Sequence, residues 1–137
     1  MKTHVSFKRD SATLNADAPP FGEDIADSLV AFLASQGLGD CILDSLDYAF
    51  TLFCPADSRR CYVMVGLVGD DPQQWLISCD PSRGIVDWLL RRNYDAELNT
   101  VVTAIHQFLT DDSAVSEIRW YTKDGWNANP EEWTPSP

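Results

Sequence analysis

The spacing of apolar residues changes period along this chain, and each change marks a structural element. Between about residues 23 and 36, Ile25, Leu29, Phe32 and Leu33 recur every three or four positions. That spacing forms one apolar stripe on a helix. Glu23 and Asp24 fall in its first turn, where the unpaired N–H groups favour acids. Gly37 follows its last turn and suits the left-handed conformation that stops a helix. From residue 47 the period becomes two. Tyr48, Phe50, Leu52 and Cys54 point one way, and Ala49, Thr51 and Phe53 the other. After a polar turn from Pro55 to Arg59, Cys61 to Val68 is apolar almost throughout, which predicts a central strand. Gly69-Asp70-Asp71-Pro72 is a turn signal, and Gln73 to Cys79 forms a third strand with Trp75 and Ile77 on one face. Three strands joined by short loops predict an antiparallel meander.

Residues 85–92 fit a short helix or a strand equally well. A second helix follows over about 95–110, with Leu98, Val101, Val102, Ile105 and Leu109 in one stripe and Phe108 at its edge. Asp95 can cap its start. Val115 to Tyr121 predicts a last strand, with Ile118 and Trp120 facing together. Residues 1–20 read as a loosely ordered arm. Within it, Thr3 to Phe7 alternate weakly, enough for an edge strand, and Pro19-Pro20 can sit neither inside a helix nor in a central strand. Residues 122–137 read as a turn-rich tail holding Trp126, Trp133 and three prolines. The expected fold is α+β: a two-layer sandwich of two amphipathic helices on an antiparallel sheet of four or five strands. Residues 21–137 are expected to form a single domain, since 137 residues suit one hydrophobic core.

Charge narrows the range of partners. The formal net charge is −11. Nucleic-acid binders neutralise phosphates with cations, so this balance argues against nucleic acid. The same sign disfavours anionic membrane surfaces and favours a basic protein partner. The acidity is concentrated late in the chain: residues 95–137 hold eight acids against Arg119 and Lys123. No stretch approaches the ~18 apolar residues of a membrane span. The first ten residues carry no apolar run, so no signal peptide is expected. Cys41, Cys54, Cys61 and Cys79 fit no zinc spacing; reduced, mostly buried thiols in the cytoplasm account for them most simply, and their even number leaves disulfides open.

Catalytic signatures are missing. The chain has no G-x-S-x-G, no glycine-rich phosphate loop with lysine, no H-E-x-x-H and no G-x-G-x-x-G. Neither a catalytic residue, a metal ligand nor a cofactor is assigned, and the chain is expected not to be an enzyme. His4 lies in the arm, and His106 sits at the boundary of the second helix's stripe. A small enzyme with an unrecognised site is kept as an alternative, requiring Cys61 or Cys79 to meet His106, or an Asp pair. The Asp70-Asp71 turn lacks the D-x-D-x-D-G pattern of a calcium loop. The candidate protein-binding residues are Asp70, Asp71, Trp126, Glu131, Glu132 and Trp133. In the tail, Trp126 and Trp133 are either folded back over the sheet or exposed as anchors between acids, and tryptophan is enriched at binding hot spots.

Small size, acidity, absent catalytic motifs, the Gly69-Asp70-Asp71-Pro72 turn and the aromatic, acidic tail together resemble the bacterial immunity proteins that neutralise secreted toxins. That resemblance implies a module that covers a toxin's active site, with acids set against a basic cleft. The element order of residues 23–121 (helix, three strands, helix, strand) is similar to that of type III secretion chaperones. This second resemblance implies a homodimer that binds an extended segment of an effector. Such chaperones close with another strand and a helix, whereas residues 122–137 hold Pro130, Pro135 and Pro137. A monomer and a homodimer both remain open.

Overall fold

The structure, a computed structural model, describes residues 1–10, 19–39, 41–56, 59–70, 72–82 and 95–137. The elements run β1 (His4–Lys8), α1 (Glu23–Ser35), β2 (Ile42–Ser45), β3 (Ala49–Ala56), β4 (Arg59–Asp70), β5 (Gln73–Ser82), α2 (Asp95–Asp111), β6 (Ser116–Tyr121) and α3 (Lys123–Ala128). All six strands join one antiparallel sheet in the order β2-β3-β4-β5-β1-β6. The fold is therefore α+β with an open antiparallel sheet. The expected meander is β3-β4-β5. The apolar run at 61–68 lies in β4, which has a neighbour on each side.

Alternation along the strands decides what is buried. Val5 and Phe7 of β1, Leu52 and Cys54 of β3, Val63 and Val65 of β4, Trp75, Ile77 and Cys79 of β5, and Trp120 of β6 share one face. They join Ile25, Ala26, Leu29 and Leu33 of α1 and Leu98, Val101, Val102, Ile105 and Leu109 of α2 in one cluster. Phe32 and Phe108 meet where the helices touch, with ring centroids 5.6 Å apart. Both helical stripes are the ones the spacing predicts. Trp75 and Trp120 are fully buried. Each indole removes roughly 200 Å² from water, on the order of 5 kcal/mol before the entropy of ordering is counted.

The ends of α1 follow from two glycines. Gly37 has φ 80°, Leu38 N–H donates to Leu33 O at 2.9 Å, and Gly37 N–H donates to Ala34 O at 3.1 Å. That is the Schellman pattern of a glycine-terminated helix. At the other end Gly22 has φ 93°, and a Cβ placed there would lie 2.5 Å from the Trp75 ring. Gly22 therefore meets two demands, a left-handed backbone and close approach to the core indole.

Two expectations need correction. The first ten residues are not a loose arm. His4–Lys8 is an interior strand, hydrogen-bonded to β5 on one side and β6 on the other. Its alternation looked weak because His4 and Ser6 are polar, yet both are buried on the face opposite the core. The sheet also has six strands rather than four or five. Ile42–Ser45 was missed because it is short, carries Asp44 and Ser45, and leaves most of its side chains in solvent. Residues 85–92, which fit a helix or a strand by sequence, lie outside the described residues. So do residues 11–18 of the expected arm.

Candidate functional site

The tail is fixed to the sheet. Trp120 N–H donates to Thr134 O at 2.8 Å, and Thr134 N–H donates to Trp120 O at 3.0 Å. This antiparallel bridge sets residue 134 against the outer edge of β6. Lys2 Nζ also donates to Thr134 Oγ1. Between β6 and the bridge, the chain makes the short helix α3. Thr122 caps it, with its Oγ1 accepting from Gly125 N–H at 2.9 Å. The turn-rich tail expected over 122–137 thus contains a short helix, whose signal in the sequence is the capping Thr122 three residues before Gly125.

The bridge and the helix together place the tail aromatics. Trp126 is half-buried and meets Tyr121 edge to face, with ring centroids 5.1 Å apart. Trp133 is 41% exposed and lies under the Arg119 guanidinium, 4.8 Å from its ring centroid. The choice left open by the sequence thus resolves differently for the two rings: Trp126 folds back on the sheet, whereas Trp133 keeps much of its surface in water. Glu131 and Glu132 beside it are exposed. Glu132 accepts from the Asn129 side-chain amide at 2.9 Å.

A β-bulge shapes the same corner. The pairing of β1 with β6 slips between Ser6 and Lys8, and Glu117 has φ 52°. Glu117 pairs with Lys8 and lies 3.8 Å from Arg119. The hydrogen bond from Lys8 holds the Glu117 carboxyl below the ordinary range, against an opposing effect of desolvation. Arg119 is thereby held between a carboxylate and an indole. Nearby, Lys123 donates to Asp80 at 3.3 Å.

The remaining candidates lie elsewhere. Asp70 ends β4 and pairs in register with Gln73, so the predicted turn closes the β4–β5 hairpin. Asp71 lies outside the described residues. The structure therefore gathers Trp126, Glu131, Glu132 and Trp133 in the tail, while Asp70 belongs to a hairpin turn between other strands.

The residues weighed for chemistry are placed as follows. Trp120 Nε1–H donates to His106 Nδ1 at 3.1 Å, which occupies that nitrogen as an acceptor. Cys61 is buried, and burial followed by the charge of Asp80 pushes its thiol up to about 12. Burial also raises Cys79 and Cys54. Thiols so shifted supply little thiolate near neutral pH. His4 is buried beside Thr3, whose Oγ1 lies 3.0 Å from its Nδ1. Burial lowers its pKa, Asp80 works in the other direction, and Lys123 adds to the lowering. A cavity of about 450 Å³ between the end of α1 and α2 is lined by Gln36, Leu38, Asn99, Thr100, Thr103, Ala104 and Gln107. These side chains offer amides and hydroxyls but no acid, base or thiol. Among the described residues, no group of three or more His, Cys, Asp or Glu is arranged to hold a metal ion. No described helix is long and apolar enough to cross a membrane.

Comparison of the chain with protein-family models, with curated proteins and with solved structures gave no match.

Proposed function

We propose that this chain is a non-catalytic, acidic protein-binding module of the immunity type, acting in the cytoplasm by masking a basic partner such as a secreted toxin. In this reading the sheet and its helix pair form a two-layer scaffold, and the tail corner is the working surface. The observation that carries the reading is the exposure of Trp133, Glu131 and Glu132 on a tail anchored to β6 by a pair of backbone hydrogen bonds. An anchored tail loses less freedom on binding than a free one. Exposed acids raise the rate of encounter with a cationic partner, and a large ring at the centre slows dissociation.

The test compares capture by the tagged protein with capture by its Glu131→Lys/Glu132→Lys variant, both from native extract at low salt. A basic protein retained by the wild type and weakened at least tenfold by the double reversal supports the reading. Equal retention by both removes the tail from the site.

A second reading is favoured by the other edge of the sheet. β2 pairs only with β3 among the described residues, and Ile42, Leu46 and Tyr48 beside it are exposed. An edge of this kind accepts an extended segment as an added strand, as a secretion chaperone or adaptor requires. This reading predicts a homodimer and a loss of binding on Ile42→Lys. A strict monomer by light scattering at micromolar concentration, with binding untouched by Ile42→Lys, counts against it.

A further inference from the structure

Four cysteines converge on one face of the sheet, although their spacing in the chain gives no hint of it. Cys54 and Cys61 are direct partners across β3 and β4. Cys79 pairs with Val63, two residues on from Cys61 on the same face. The register Ile42↔Phe53 places Cys41, one residue before β2, opposite Cys54. Within this row one pair stands apart: Cys41 Sγ lies 2.7 Å from Cys54 Sγ. Cys41 is also the only one of the four that is not fully buried. Its thiol contacts Leu38 O at 3.3 Å, which holds the sulfur near the loop between α1 and β2.

We propose that Cys41 and Cys54 form a disulfide-forming site, oxidised by a small disulfide of the glutathione class, that ties the start of β2 to β3. The argument is geometric. Residues opposite each other in an antiparallel pair have α-carbons within the range a disulfide spans, and Cys41 continues the β2 register opposite Cys54 with the two sulfurs already in contact. Cys41 is half-buried and the other three are buried, so Cys41 is the one a small reagent meets first.

The steps balance. Cys41 gives its proton to water, and its thiolate attacks one sulfur of the reagent. The reagent's S–S bond breaks, and one glutathione leaves as a thiolate that takes up a proton. Cys54 then loses its proton and attacks the Cys41 sulfur of the mixed disulfide. That bond breaks and the second glutathione leaves as a thiol. Two protein thiols are oxidised by two electrons, and one glutathione disulfide is reduced to two thiols. Burial raises the pKa of Cys54, so its thiolate fraction, and with it the rate of the second step, rises at alkaline pH. The bond would tie the start of the largely exposed strand β2 to the core residue Cys54. It stands independently of the binding proposal.

The test incubates the intact folded protein with excess glutathione disulfide, then denatures, alkylates and digests it for mass spectrometry. The expected result is loss of two alkylatable thiols and a single cross-linked species joining Cys41 to Cys54, with a rise of several degrees in Tm. Cys41→Ser, a change at a half-exposed site, should leave the other three thiols alkylatable and abolish that rise. Cys54→Ala should stop at one glutathione adduct on Cys41. Four alkylatable thiols in the treated wild type, a cross-link between any other pair, or a stable adduct on wild-type Cys41 would each overturn the proposal.

Discussion

The two edges of this sheet are finished in opposite ways. At β6 the chain folds back, and Thr134 occupies the outer hydrogen-bonding positions of Trp120. A bulge at Glu117, the α3 helix and two tail indoles complete that edge. At β2 the strand is only four residues long, and Ile42 is 64% exposed. Covering an edge and keeping an edge short are two standard defences against unwanted strand pairing. Covering it creates a fixed, chemically varied surface. Shortness leaves a small apolar ledge whose only described strand neighbour is β3. In the proposed function the first serves selective recognition of a charged partner, and in the second reading the other serves pairing along a backbone.

This contrast breaks most visibly if the fully buried indole at the covered edge is removed. Trp120→Ala should destabilise the fold by about 3–5 kcal/mol. Ile42→Ala at the open edge should change stability by no more than about 0.5 kcal/mol, because that side chain is in water. Urea unfolding measures both, and similar losses would erase the distinction between the edges. A smaller effect is expected from ending the chain after Asn129. This removes the Thr134 bridge and the Lys2 contact, at a cost of about 1–3 kcal/mol if each backbone hydrogen bond contributes its usual net amount. The amide of Trp120 should then exchange faster, and the amides of β3 should not.

Acid should act on the covered side first. Burial lowers the folded-state pKa of His4 below its ordinary value, so the unfolded chain takes up this proton before the folded one does. The contribution of neutral His4 is therefore complete above about pH 6.5 and falls away as the pH drops through that value towards the folded-state pKa, by less than ~1.4 kcal/mol per pH unit. His4→Asn should flatten this part of a stability profile recorded between pH 7 and 5. An unchanged slope would show that His4 does not titrate in that range. The smallest effect expected is at Thr122. Replacing it with Ala removes the cap of α3 at about 1 kcal/mol, felt locally as faster exchange of the Gly125 amide, with β2 unaffected.

What the sequence made legible tracks burial. Both helical stripes, the Gly37 stop and the β3-β4-β5 meander follow from periodicity, because each element buries one side against the core. β1 was hidden because a strand with neighbours on both sides can bury His4 and Ser6 as well as Val5 and Phe7. A period-two reading treats polar positions as solvent-facing and so weakens the signal. β2 was hidden for the opposite reason: it buries almost nothing. At the candidate site, the residue types in the tail were readable, but their arrangement was not. Trp126 is set against Tyr121 by the turn of α3, whereas the placement of Trp133 depends on the Thr134 bridge and on Arg119, contacts between residues 14 apart that no local pattern encodes. The meeting of Cys41 with Cys54 likewise depends on strand register.

Hydrogen exchange by mass spectrometry on this protein, alone and with the basic partner that the proposed function requires, tests the central claim most directly. Protection confined to residues 122–134, with β2 and the amides of 46–48 unchanged, is the predicted result. Protection of residues 42–48 with the tail unchanged would contradict it and assign binding to the open edge.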